Sequence, residues 1–205
     1  MSDASVPAMP AHLRMPQVRL VFLACAAILL AAVPWQLRWG VIPDTSWIIT
    51  LAERVLAGDR LYVDIIETNP PFTVWLYLPP VAAAAAIGAP AEAVVHLYVY
   101  ALCLIGLGGA ALIARQAAFP ENRALLALLP AFLALLTIFP GNSFSEREHI
   151  GIALLLPLLV LTAWRAASPD GRPSFATTVL AGLGGAVIVL VKPYYLLLVA
   201  APAFY

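Results

Sequence analysis

The stretch GVIPDTSWIITLAERVLAGDRLYVDIIETNPPFTVW, residues 40–75, follows directly on an apolar run. It holds five of the chain's 11 acidic residues: Asp44, Glu53, Asp59, Asp64 and Glu67. Its sequel, PPFTVWLYLPPVAAAAAIG over 70–88, decides the fold, because a crossing there would flip the side of every later segment. The segment is barely long enough to span. Pro79-Pro80 stand in its middle, and proline removes a backbone donor and clashes with the preceding turn. In hydrocarbon such a break needs partners from neighbouring protein. The positive-inside rule gives a second reading. With a cytoplasmic N-terminus and no crossing at 70–88, Arg14, Arg19, Arg115, Arg123, Arg165 and Arg172 all lie inside. With a crossing, the last four move out, and only Arg14, Arg19, Arg147 and Lys192 remain within. The first arrangement is the better one. It makes 37–92 one long extracytoplasmic loop, with 70–88 lying in or dipping into the membrane. It also puts PGNSFSEREH, 140–149, on the same outer face.

The rest of the chain is apolar. Of 205 residues 63% are hydrophobic and 11% are charged, whereas soluble domains carry roughly twice that charge. The expected fold is all-α, a polytopic transmembrane helical bundle whose long first loop contains juxtamembrane amphipathic helices. Spans are expected at about 18–36, 93–114, 123–139, 150–165 and 176–191, with a further helix starting at 194–205. Residues 1–17, polar and rich in Pro and Ala, read as a disordered cytoplasmic tail. The first run has no small-x-small cleavage site after it and reads as a retained helix. The apolar ending PYYLLLVAAPAFY reads as an unfinished span, so the expectation is the N-terminal part of a longer protein. The formal net charge of zero argues against nucleic acid as a partner. Cys25 and Cys103 lie inside apolar runs and read as small core residues. GLGG occurs at 106–109 and 182–185, and small residues of this kind let helices approach closely.

Within the loop, 44–58 has the pattern of a short amphipathic helix. Asp44 is a natural N-cap and Gly58 a natural stop. Trp47, Ile48, Leu51, Val55 and Leu56 form its apolar face, suited to the membrane surface. Asp44 therefore has a simple capping role open to it, and Glu146 and Glu148 read as well as residues of a solvated turn between two spans. Yet Glu146, Arg147, Glu148 and His149 are many polar groups for one short connection in so apolar a chain, and ionisable groups near a bilayer tend to be functional. Two carboxylate sites on one face suit a divalent cation (Mg, Mn or Zn), with Asp44 and Glu148 as ligands. They equally suit a general base acting on a hydroxyl. Arg147 and Lys192 suit a phosphate, and His149 suits a metal or a phosphate. His96, within a span, reads as a buried hydrogen-bonded residue, and His12 belongs to the tail.

The order IPDTSWIITLAERVLAGDRLYVDIIETNPPF resembles the first extracytoplasmic loop of GT-C-type integral membrane glycosyltransferases, which have relatives among lipid A aminoarabinose transferases and protein O-mannosyltransferases. An acidic residue follows the first helix (Asp44). An amphipathic helix then runs to Gly58, followed by Tyr62 and the Pro70-Pro71 apolar segment. A second acidic site, SEREH, comes about a hundred residues on, and VKPYY at 191–195 resembles a recurring lysine-proline element. The resemblance implies a bacterial inner-membrane enzyme with a cytoplasmic N-terminus. It would move a sugar from a polyprenyl-phosphate-linked donor to a lipid or glycan acceptor, in contact with membrane lipid. Asp44 would be the catalytic carboxylate, Glu148 or Glu146 the second acidic contact, and Arg147, His149, Lys192 and Tyr62 the contacts to substrate or phosphate. Two departures are visible: many relatives carry an acidic pair where this chain has Asp44-Thr45, and this sequence has less than half the usual family length, without the later helices that build the donor-lipid groove. The competing expectations are a non-catalytic membrane subunit or pseudoenzyme, and a transporter or flippase segment.

Overall fold

The computed structural model describes residues 15–119 and 122–201. The expected tail over 1–17 lies outside these except for Met15–Gln17, which open the first helix, and residues 202–205 also lie outside. The described chain is an all-α bundle. Its helices in order are α1 (Met15–Trp39), α2 (Pro43–Leu56), α3 (Pro71–Trp75), α4 (Leu78–Ile87), α5 (Ala91–Ala117), α6 (Asn122–Thr137), α7 (Arg147–Ala167), α8 (Phe175–Val191) and α9 (Leu196–Ala200). Short 3-10 turns at Gly141–Ser143 and Pro193–Tyr195 lead into α7 and α9.

Among the described residues three helices are long and apolar enough to cross a membrane: Val18–Trp39 of α1, Ala91–Ala117 and Arg147–Ala167. The expected spans at 123–139 and 176–191 form helices of 16 and 17 residues. At about 1.5 Å per residue these reach roughly 24–26 Å, short of a ~30 Å hydrocarbon core.

The expected break in 70–88 is present but displaced. The α-helical hydrogen-bond pattern is interrupted at Leu76-Tyr77, which form a turn, and Pro79 and Pro80 sit inside the first turn of α4. The reason lies in the proline ring. Pro79 clashes with the carbonyl four residues back, at Trp75, which is where α3 ends. In a first turn the missing N–H has no intrahelical partner to lose, so the same two prolines start α4 comfortably. Pro71 opens α3 in the same way.

Side-chain ties fix which helix ends meet. Trp35 Nε1 and Gln36 Nε2, near the end of α1, donate to the carbonyls of Ile138 and Thr137 just beyond and at the end of α6, at 3.0 and 2.7 Å. His96, in the second turn of α5, stacks on Phe144 ahead of α7 at 5.8 Å. Thr73 Oγ1 in α3 donates to the last carbonyl of α8, Val191, at 3.2 Å. The ends of α1, α6 and α8 and the starts of α5 and α7 therefore gather at one end of the bundle. The loop from 40 to 90 leaves and returns at that end, and α3–α4 do not traverse the bundle. At the other end Thr177 of α8 donates to Gln116 of α5 at 2.7 Å.

Helix α2 departs from the expected surface helix. Its buried residues are Thr45, Ile48, Ile49, Leu51 and Ala52, while Trp47 and Leu56 are about half exposed. Ile48, Leu51 and Ala52 belong to the main core with Ile65, Tyr77, Val99 and Phe144. The i, i+3, i+4, i+7 stripe at 45, 48, 49 and 52 faces protein, and it is rotated from the stripe that hydropathy alone selects. Asp44 is not the N-cap. Ile42 occupies that position, Pro43 opens the helix, and no side chain caps it. The stop is as expected: helix geometry ends at Leu56, and Gly58 takes φ +108°.

If the bundle crosses a membrane in this arrangement, single cysteines at Thr68, Glu92 and Asn142, in a background lacking Cys25 and Cys103, will all react with an impermeant thiol reagent from one side. One at Asp170 will react only from the other. Labelling of the Asp170 position together with Thr68, with Glu92 and Asn142 reacting only from the other side, would mean that 70–88 crosses.

Candidate active site

The polar end of the bundle carries one chain of charges. Arg147 opens α7 and is 5% exposed. Its Nη1 lies 3.0 Å from Asp44 Oδ2, and its Nε lies 3.4 Å from Glu148 Oε1. Glu148 Oε1 also contacts Lys192 Nζ, which follows the end of α8. Two elements distant in sequence, α2 and the start of α7, thus bring their carboxylates to one guanidinium. The width of that group and the two contacts put the carboxylates within about 9 Å of each other. Contact with Glu148 holds the Lys192 ammonium above its ordinary range, against the opposing effect of partial burial. Lys192 therefore stays charged at neutral pH.

The cluster is held by a backbone atom. The carbonyl of Ser145, two residues before Arg147, accepts a hydrogen bond from Tyr77 Oη at 2.5 Å and a longer one from Thr45 Oγ1 at 3.4 Å. Tyr77 lies at the break between α3 and α4 and is 1% exposed. Burial pushes its hydroxyl well above the ordinary phenol range, so it remains a donor. Thr45 is the residue beside Asp44. One carbonyl thus ties α2, the α3–α4 break and the entry to α7 together. Sequence reading does not single out Tyr77, Ser145 or Thr45 as site residues. The one available signal is that Thr45 stands where relatives of the resembled family carry an acid.

The other expected site residues sit as follows. Glu146 is the half-buried N-cap position of α7, and its side chain makes no capping bond. His149 does not present a ligand face. Nδ1 lies against the Phe144 carbonyl and Nε2 lies 2.9 Å from the Leu136 carbonyl. A carbonyl oxygen stands against each ring nitrogen, so neither nitrogen is open to a metal or a phosphate. The residue instead ties α6 to α7. Tyr62 is also a structural residue of the loop. It takes a left-handed backbone with φ 68°, and its hydroxyl donates to the Asn69 carbonyl. His96 is buried as expected, with Nδ1 2.8 Å from the Glu92 carbonyl.

Among the described residues no three His, Cys, Asp or Glu side chains come together. The position between Asp44 and Glu148 that a divalent cation would take is filled by the Arg147 guanidinium. A cation site needs several oxygen ligands, whereas this one presents two carboxylates already facing cations. The arrangement suits an anion that competes for Arg147 and Lys192. A large apolar cavity of about 980 Å³ lies between α1, α5, α6 and α7. Its lining includes Arg115 and Phe119, at the end of the bundle away from Asp44, so it is separate from this cluster.

The 40–90 segment that carries Asp44 is braced by Glu67. Its carboxylate accepts from Trp47 Nε1 at 2.9 Å, from the amides of Thr68 and Asn69 at 2.6 and 2.8 Å, and from Asn69 Nδ2 at 2.8 Å. Partial burial pushes the Glu67 carboxyl up, but these hydrogen bonds together outweigh it and hold the group below its ordinary 4.5. A depressed carboxyl contributes stability above its unfolded value and loses it as pH falls through the folded one. Amide-exchange protection at Thr68 and Asn69, corrected for intrinsic rates, should therefore persist at neutral pH and be lost below about 4.5. Glu67→Gln should lack the pH-dependent part. Equal protection in both proteins across that range would show that Glu67 does not brace the loop.

Comparison of the sequence with protein-family models and with curated proteins, and of the fold with solved structures, finds no match.

Proposed function

We propose that this chain belongs to a membrane glycosyltransferase that moves a sugar from a polyprenyl-phosphate donor to a hydroxyl on a lipid or glycan acceptor at the outer face of a bacterial inner membrane. One observation carries the reading: in a chain so poor in charge, the acid after the first helix and the acid of the second outer loop share the buried Arg147, with Lys192 beside them. A carboxylate next to two cations offers both halves of a glycosyl transfer. The acceptor oxygen attacks the anomeric carbon and forms the new glycosidic bond. The bond from that carbon to the phosphate oxygen breaks, and its electron pair stays on the phosphate. The acceptor's proton passes to the Asp44 carboxylate. Arg147 and Lys192 stabilise the negative charge that develops on the leaving phosphate.

The gathering of charge at one end of the bundle supports an interfacial enzyme over a transporter, which carries its ionisable groups inside the spans. The test is a transfer assay in proteoliposomes with a panel of polyprenyl-phosphate sugars. The expected result is release of free polyprenyl phosphate that depends on Asp44. Consumption of none of the donors by folded protein would leave the non-catalytic subunit as the better reading.

A further inference from the structure

Arg147 is buried and has two carboxylates in reach, yet its Nε and Nη1 donors make no aligned hydrogen bond. Glu148 Oε2 is likewise buried without a partner. Buried charged donors left in this state are costly and mark a place where a group with better geometry would be favoured. The members of the cluster are unequally held. Glu148 has Lys192 as a second partner, and Arg147 is fixed at the head of a long helix whose entry is gripped through Ser145. Asp44 is 46% exposed, and Arg147 is its ion-pair partner among the described residues.

We propose that Asp44 is the resting counter-ion of an anion site on Arg147, and that a phosphate ester entering the site displaces it. A tetrahedral phosphate can accept from two adjacent guanidinium N–H groups together, Nη2 with Nη1 or with Nε, in the bidentate geometry that an arginine favours and that Asp44 does not achieve here. Phosphate and carboxylate therefore compete for one group. Binding of the anion releases Asp44 as an unpaired carboxylate on the exposed side of the cluster. In the glycosyltransferase reading this fixes an order: the proton acceptor is neutralised by the arginine until the donor phosphate has arrived. That consequence rests on the proposed function, whereas the competition itself does not.

The experiment measures calorimetric affinity for dodecyl phosphate and, separately, for inorganic phosphate, using the full chain in lipid nanodiscs. Asp44→Asn should bind dodecyl phosphate about three- to tenfold tighter than wild type, since the competing charge is gone while the side-chain shape is kept. Glu53→Gln removes the same charge from the exposed face of the same helix and should change the affinity by less than about twofold. Arg147→Lys keeps the charge but loses the fork, and should weaken binding about tenfold or more. The same ranking with inorganic phosphate would also support the competition and would assign the site to the phosphate group alone. The proposal is overturned if Asp44→Asn binds no tighter than wild type, if Glu53→Gln tightens binding equally, or if folded wild type binds neither probe. Competition without sugar transfer would leave this site standing and remove the glycosyltransferase reading.

Discussion

Asp44→Asn should lower sugar transfer by about 10²–10⁴-fold, the range that removal of a general base covers, while the protein folds as before. The structural half of this expectation is firm, because the Asp44 side chain has no part in starting α2. The helix begins from Ile42 and Pro43, and its first turn makes no side-chain cap. Asn is isosteric, so the packing of Thr45 and Ile48 beside it is undisturbed. The Asp44–Arg147 contact joins a half-exposed carboxylate to a buried guanidinium, and Glu148 remains to compensate the arginine. What Asn loses is the capacity to take a proton. The same variant should hold a phosphate probe more tightly, so affinity and turnover should move in opposite directions. A structural lesion would lower both. Full activity in folded Asp44→Asn would end its assignment as base and leave it as a counter-ion to Arg147.

The legible and illegible parts of this chain divide along physical lines. The long helices are legible because an unbroken apolar run at helical length has few other uses. The return of residues 40–90 to one end of the bundle is legible from the arginine distribution and from Pro79-Pro80. The position of the break is not, because the clash of a proline falls on the turn before it, so α3 ends at Trp75 while the prolines themselves are helical. The buried face of α2 is hidden for a different reason. Hydropathy ranks Trp47 and Leu56 above Thr45 and Ala52, but Thr45 is turned inward to the Ser145 carbonyl, and Trp47 has a polar handle for Glu67. At the site, sequence can indicate that the charges of 44 and of 146–148 belong together. It cannot indicate that Arg147 lies between them, because the long-range tie through the Ser145 carbonyl leaves no local pattern. His149 misleads for the same reason: its two carbonyl partners come from the turn before α7 and from α6.

Gly184→Leu should prevent the bundle from forming, whereas Gly182→Leu, two residues away in the same GLGG, should be tolerated. The two repeats meet α7 on neighbouring faces at consecutive residues. A Cβ on Gly106 would overlap the Ala153 carbonyl of α7, and a Cβ on Gly184 would overlap the Leu154 carbonyl. Both obstacles are backbone atoms of a long helix, which cannot rotate aside as a side-chain tip can. Helix axes must then separate, and the loss extends along the whole α5–α7–α8 contact, including Gly109 against Pro157 and Gly151 against Ile188. Overpacking of a core typically costs about 1–3 kcal/mol; with backbone on the receiving side the upper end, about 3 kcal/mol or more, is expected. A Cβ added at Gly108 or Gly182 would meet nothing within 4 Å, so Leu there extends into open space. The consequence reaches the site, because Lys192 follows the last turn of α8 and Arg147 opens α7. A shift of one helix against the other parts Lys192 from Glu148. Size-exclusion profiles and thermal unfolding in detergent should show Gly106→Leu and Gly184→Leu aggregated or melting far below wild type, with Gly108→Leu and Gly182→Leu close to it. Equal behaviour of all four variants would mean that the glycines do not set the spacing of these helices.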